Sequence, residues 1–172
     1  MDQFVFATIR RIDTIARWSG NIFCWMGLIL MCVMVYHVFM RYAFNRPTFW
    51  AYDMSYMLYG SMFMLGSAYT LYRQGHIRTD FLYRAWSPRT QGILDTIFYI
   101  FLFFPAMILF FNSGYEYALR SWQLGERGYM SPWAPPIYPF KTAIPVGIAL
   151  MIIQGVSELL KSLYAAVRGR WP

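Results

Sequence analysis

Apolar residues run in four long blocks along the chain, and the charges fall between them. Residues 18–40, 54–72, 96–115 and 142–157 contain no Asp, Glu, Lys or Arg. A helix needs about 20 apolar residues to cross the hydrocarbon core of a bilayer. The first three blocks meet that length directly. The fourth meets it if the Lys141 side chain reaches toward the headgroups. The pattern therefore predicts spans over 18–40, 48–72, 90–119 and 137–160. The competing reading, buried helices of a soluble protein, fails because four such blocks in 172 residues leave too little polar surface to enclose them. The expectation is an all-α integral membrane protein, a single membrane domain over 1–172 with four transmembrane helices.

Helix breakers divide the blocks consistently. Pro47 ends the first helix within the hairpin "RYAFNRPTFW". Ser87 and Pro88 form a start signal, an N-cap followed by proline at the first helical position. Pro105, in the middle of the third span, predicts a kink that frees the carbonyl of Phe101. The connection 120–136 leads into "SPWAPPIYP", a stiff aromatic segment with prolines at 132, 135, 136 and 139. In the fourth span Ala143, Gly147, Met151 and Gly155 share one face, a pattern that permits close helix packing. Ahead of the first block, Phe4, Val5, Ile9, Ile12 and Ala16 recur near helical spacing with arginines between them. This predicts a short amphipathic helix on the membrane surface. The first apolar block is too long for the core of a signal peptide, and no small-x-small cleavage site follows it.

Composition agrees with the pattern: 58% of residues are hydrophobic, 21% aromatic and only 13% charged, against about 25% charged in soluble domains. The cations set an orientation. Arg10, Arg11 and Arg17, then Arg73, Arg78, Arg84 and Arg89, then Lys161, Arg168 and Arg170 fall on one side. Arg41, Arg46, Arg120, Arg127 and Lys141 fall on the other. The richer side is the cytoplasm, which places both termini there and the connections 41–53 and 116–141 outside. The net charge of +7 follows from this bias, so nucleic acid is not implied as a partner.

The densest polar stretch is "YRQGHIRTD" at 72–80. It reads as the cytoplasmic exit of the second helix. Gly75 permits the turn, His76 and Arg78 can bond exposed helix-end carbonyls or lipid phosphates, and Asp80 can pair with a neighbouring arginine. Elsewhere little suggests chemistry. Cys24 and Cys32 lie about 12 Å apart on one helix, too far for a disulfide. His37 and His76 are separated by about a membrane thickness, roughly 30 Å, so one haem cannot use both; His37 reads as an interfacial or packing histidine. Asp53, Glu116, Lys141 and Glu158 all fall near span ends, with Asp53 placed to pair with Arg41 or Arg46 across the hairpin. The polar residues left inside, Asn112, Gln154, Ser67 and Thr70, are explained by helix-to-helix hydrogen bonds. Neither a nucleophile triad nor a phosphate loop nor a zinc motif is present, so an enzyme is not expected.

Three stretches, in order, are similar to one family. They are "RYAFNRPTFWAYD", "GHIRTD" and "WAPPIYPFKTAIPVGIALMIIQGVSEL". Together they resemble the small, four-span, Q-type membrane subunit of the tripartite ATP-independent periplasmic (TRAP) transporters. Asp53 stands where that family often has Glu, which keeps the charge. The resemblance implies a bacterial inner-membrane, multi-pass scaffold with no substrate site and no cofactor of its own. Its partners would be a large polytopic subunit working as an elevator, a periplasmic substrate-binding protein and membrane lipid. Sodium would bind in the large subunit and the cargo would be an organic anion. A bound phospholipid is compatible with that arrangement.

The residues assigned to assembly on this reading are Arg41 and Asp53 at the outer hairpin and His76, Arg78 and Asp80 at the inner turn. Lys141 and Glu158 would anchor the fourth helix at the two interfaces. Trp133 and Tyr138 would touch the docked binding protein. Two other classes compete: a haem-bearing anchor of a membrane oxidoreductase, which would need a second chain to supply a ligand at the depth of His37, and a small self-assembling exporter, which the lack of a mid-span carboxylate disfavours.

Overall fold

The computed structural model describes residues 2–75, 83 and 86–171. His76, Arg78 and Asp80, the expected inner-turn group, lie outside these residues. The described chain is helical, with one isolated β-bridge between Arg127 and Pro136. Its elements are α1 (Asp2–Phe23), α2 (Trp25–Ala43), α3 (Trp50–Tyr72), α4 (Pro88–Phe98), a π-helical turn (Tyr99–Phe103), α5 (Phe104–Leu124) and α6 (Tyr138–Arg168).

Among the described residues, three helical runs are long and apolar enough to cross a membrane: Val5–Ala43, Pro88–Leu124 and Tyr138–Arg168. The 23-residue α3 extends over about 35 Å at 1.5 Å per residue, but its tyrosines and serines make it more polar than the other three. The amphipathic segment does not end at Trp18 as a separate surface helix. It continues to Phe23, breaks only at Cys24 and passes into α2, giving a 39-residue run. Part of its apolar face meets protein: Ile9 and Ala16, with Ser19, are buried, while Ile15, Trp18 and Ile22 are exposed, and α1 packs against α3 and α6.

The fourth block forms the axis of the bundle, since α6 packs on α3, α4, α5 and α1. The small residues on its face make this possible. A Cβ added to Gly147 would stand 2.4 Å from the Met64 carbonyl oxygen of α3, and one added to Gly155 would meet the Phe103 ring at 2.4 Å. Ala143 is buried as well. The opposing helix contributes in the same way near the other end of α6, where a Cβ on Gly92 would stand 2.5 Å from the Ala166 nitrogen.

Pro105 acts through a change of helical register. Lacking an N–H, it cannot bond Phe101. The ladder widens over Tyr99–Phe103, and the Phe104 N–H reaches back five residues to the Tyr99 carbonyl. Bulges of this kind are a common accommodation inside helices. The α4 start is as read from sequence: Ser87 Oγ accepts from the Thr90 N–H at 3.3 Å, with Pro88 in the first turn. The exit of α3 differs in one detail. Gln74, at φ 52°, takes the left-handed position rather than Gly75. The Gly75 N–H then bonds the Thr70 carbonyl at 2.9 Å and the Gln74 N–H bonds that of Leu71 at 3.0 Å, a Schellman closure.

Candidate functional site

Buried polar side chains gather at the two ends of the bundle. At the end opposite the chain termini, α5 stops at Gly125, whose φ of 56° turns the chain. The connection to α6 is a tight loop. The Gly128 N–H bonds the Pro135 carbonyl at 2.8 Å and the Ile137 N–H bonds that of Glu126 at 3.0 Å. Two side chains clasp this loop to the bundle. Asp53, only 6% exposed in the first turn of α3, accepts a hydrogen bond from Ser131 Oγ. Lys141, in the first turn of α6, donates to Glu126 and places its ammonium 3.9 Å from the Tyr117 ring centroid. That ammonium holds the Glu126 carboxyl below its ordinary value of 4.5.

The expected partner of Asp53 was an arginine of the preceding hairpin. Arg41 is instead exposed, with its guanidinium 6.0 Å from the Tyr42 ring, and no ion pair between Asp53 and Arg41 or Arg46 is found among the described residues. The α2–α3 hairpin is joined by His37, whose Nδ1 is 2.6 Å from Thr48 Oγ1, and by Tyr36 stacked on Trp50 at 5.8 Å. Trp133 is 47% exposed. Tyr138 is half-buried, with its ring 4.4 Å from that of Trp122, while the Trp122 indole N–H donates to Thr142 Oγ1 at 2.8 Å.

At the end carrying the termini, Glu158 is 3% exposed and lies inside a network that ties α1 to α6. Asp13 Oδ1 accepts from Ser157 Oγ at 2.7 Å and from Gln154 Nε2 at 3.0 Å. Lys161 Nζ lies 3.0 Å from Asp13 Oδ2 and 2.8 Å from Glu158 Oε1. The Gln154 amide also donates to Glu158 Oε1 at 3.2 Å. One ammonium thus serves two carboxylates, and hydroxyl and amide donors satisfy the rest, as charges withdrawn from water require. A cavity of about 630 Å³ adjoins the network, lined by Arg10, Asp13, Arg17, Tyr72 and Lys161 among others.

Sequence reasoning did not single out Asp13, Glu126, Ser131, Ser157 or Lys161. A signal existed for the α6 group. Gln154, Ser157, Glu158 and Lys161 follow at i, i+3, i+4 and i+7, a polar stripe on an otherwise apolar helix. No comparable pattern marks Glu126 or Ser131, whose positions depend on the loop closing.

Both clusters join helix to helix or loop to helix, which is the chemistry of a support. A family model for the DctQ component of the tripartite ATP-independent periplasmic transporters matches residues 30–164, from α2 through most of α6. No curated protein and no solved structure matches the chain. The match covers well over half the chain and includes all three stretches that carried the sequence resemblance, so the chain belongs to the DctQ family: it is the small membrane component of a TRAP transporter, and not an enzyme.

Proposed function

We propose that this component is the static scaffold of a sodium-coupled, binding-protein-dependent carrier of organic anions in a bacterial inner membrane. It crosses the membrane four times, α3 included, with both termini in the cytoplasm, and it holds a large elevator-type subunit whose own residues bind sodium and cargo. The observation that carries the reading is the placement of the buried polar groups. Asp53, Lys141 and Gln154 each bond to a neighbouring helix or loop, and the buried Glu158 shares the Lys161 ammonium with Asp13 of α1. Between the two clusters, α3 and α6 approach backbone to backbone at Gly147 and Met64, which favours a rigid body over a moving carrier. Broad apolar surfaces on α2, α4 and α5 remain exposed, as a subunit embedded in lipid and against a partner needs.

The other class, a haem-bearing anchor, gives way to the family assignment. Affinity purification of the chain from its host in mild detergent, with mass spectrometry, tests the proposal. Recovery of one much larger polytopic protein in equal amount, without a haem absorbance band, is expected. Recovery of the chain alone, or of redox subunits with a haem band, overturns it.

A further inference from the structure

The bundle leaves one face of α3 uncovered, and that face is not suited to lipid. Tyr52, Tyr56, Tyr59 and Phe63 are 63%, 61%, 59% and 64% exposed. At 100° per residue these four, with Gly66 and Thr70, stay within about 40° of one line along the helix. The flanks of α3 are occupied: Gly60 and Met64 face Phe140 and Gly147 of α6, and Met62 and Tyr69 face Gly27 of α2 and Gly20 of α1. At Gly66 an added Cβ would meet nothing within 4 Å, so the stripe has a notch with no occupant in this chain.

The hydroxyls decide what the stripe can face. None of Tyr52, Tyr56 and Tyr59 has a hydrogen-bond partner among the described residues. Tyr59 lies about 13 Å along the axis from Trp50 and about 20 Å from Tyr72, at 1.5 Å per residue. Its side chain is too short to carry the hydroxyl to either headgroup layer. Hydrocarbon offers no acceptor, and unsatisfied polar groups at that depth are costly. Val35, Val38 and Phe39 on α2, and Phe101, Leu102 and Leu109 on the π turn and α5, carry no hydroxyl and suit acyl chains; the exposed tyrosines of those helices stand otherwise, with Tyr36 stacked on Trp50 and Tyr42, Tyr115 and Tyr117 next to Arg41 or Glu116 in sequence. The 4-3-4 spacing of the stripe is that of a helix-packing seam, and a small residue on such a seam admits a close neighbour.

We propose that the Tyr52–Tyr56–Tyr59–Phe63–Gly66 stripe is the seat of a membrane-spanning helix of the large transporter component. That helix turns hydrogen-bond acceptors toward the Tyr56 and Tyr59 hydroxyls and packs into the notch at Gly66. The inference rests on the scaffold reading above and specifies the face it uses.

The test places a photoreactive phenylalanine analogue at position 59 in one variant and at position 102 in another, each in the assembled complex in native membranes. An adduct with the large component from position 59, and not from position 102, is expected. The Tyr56→Phe/Tyr59→Phe variant, which keeps the ring shape, should lower the amount of large component recovered by about three- to thirtyfold, from the usual strength of interhelical hydrogen bonds. The melting temperature of the isolated subunit should not change, because neither hydroxyl is bonded within the described chain and Phe keeps the Tyr56 ring contact with Phe140. If the large component co-purifies but the adduct forms only from position 102, or position 59 labels only lipid or a second copy of this chain, the inference falls and the scaffold reading stands. If no large component co-purifies, both fall.

Discussion

Gly147 lies so close to Met64 that a side chain at position 147 would stand 2.4 Å from the Met64 carbonyl oxygen. The α3–α6 contact is thus made by backbone on backbone. Gly147→Ala is expected to force the helices apart and to destabilise the isolated subunit by about 1–3 kcal/mol, the usual range for overpacking. Gly66→Ala, in open space, should leave its melting temperature unchanged. Thermal unfolding in detergent distinguishes the two, and equal effects would contradict the close approach.

The Asp13–Glu158–Lys161 network is expected to fail on loss of its cation. Lys161→Met leaves two carboxylates without their ammonium, which should cost about 3–5 kcal/mol. Adding Asp13→Asn and Glu158→Gln to the same chain should recover part of the loss, because the residues share one set of contacts. Unfolding midpoints of the single and triple variants are the measurement; strictly additive losses would show that the three do not act together.

The loop clasp carries a pH dependence of definite sign. Lys141 lowers the Glu126 carboxyl below 4.5. A depressed carboxyl contributes stability that is fully present above its unfolded value and is lost as pH falls through the lower folded value. The subunit should hold its melting temperature down to pH 4.5 and lose stability below it, with Glu126→Gln flattening that fall. The effect is small, about 0–1 kcal/mol for a partly exposed pair. A Glu126→Gln profile that matches the wild type below pH 4.5 would assign the acid sensitivity elsewhere.

Trp133 presents its ring beside the clasped loop, with Tyr129 at 83% and Met130 at 61% exposure. On the proposed docking role, Trp133→Ala should reduce uptake severalfold while the complex purifies in normal yield. Tyr138→Ala should disturb the Trp122 contact and lower subunit stability as well. Normal uptake by the Trp133 variant would remove the loop from the docking surface.

The helices were legible because apolar length is a local property, and the start of α4 because Ser87 and Pro88 act on their own turn. The family was legible from short motifs. What escaped was pairing across the fold. Asp53 was aligned with nearby arginines, whereas its partner Ser131 is 78 residues away in sequence. Glu158 was read only as an anchor at the end of its span, and its burial was not legible because it depends on α1 carrying Asp13 to the same spot. The packing of α1 was not legible either: an amphipathic pattern does not say which apolar residues meet protein, as Ile9 and Ala16 do, and which stay exposed, as Ile15 and Trp18 do. Pro105 was read correctly as a disturbance, but a kink and a widened turn both accommodate a missing N–H.

The run from Val5 to Ala43, interrupted only at Cys24, joins two distant contacts. It is secured near one end by Asp13 and near the other by His37, with only Cys24 irregular between them. The same run thus carries one partner of the Asp13 network and one partner of the His37–Thr48 contact.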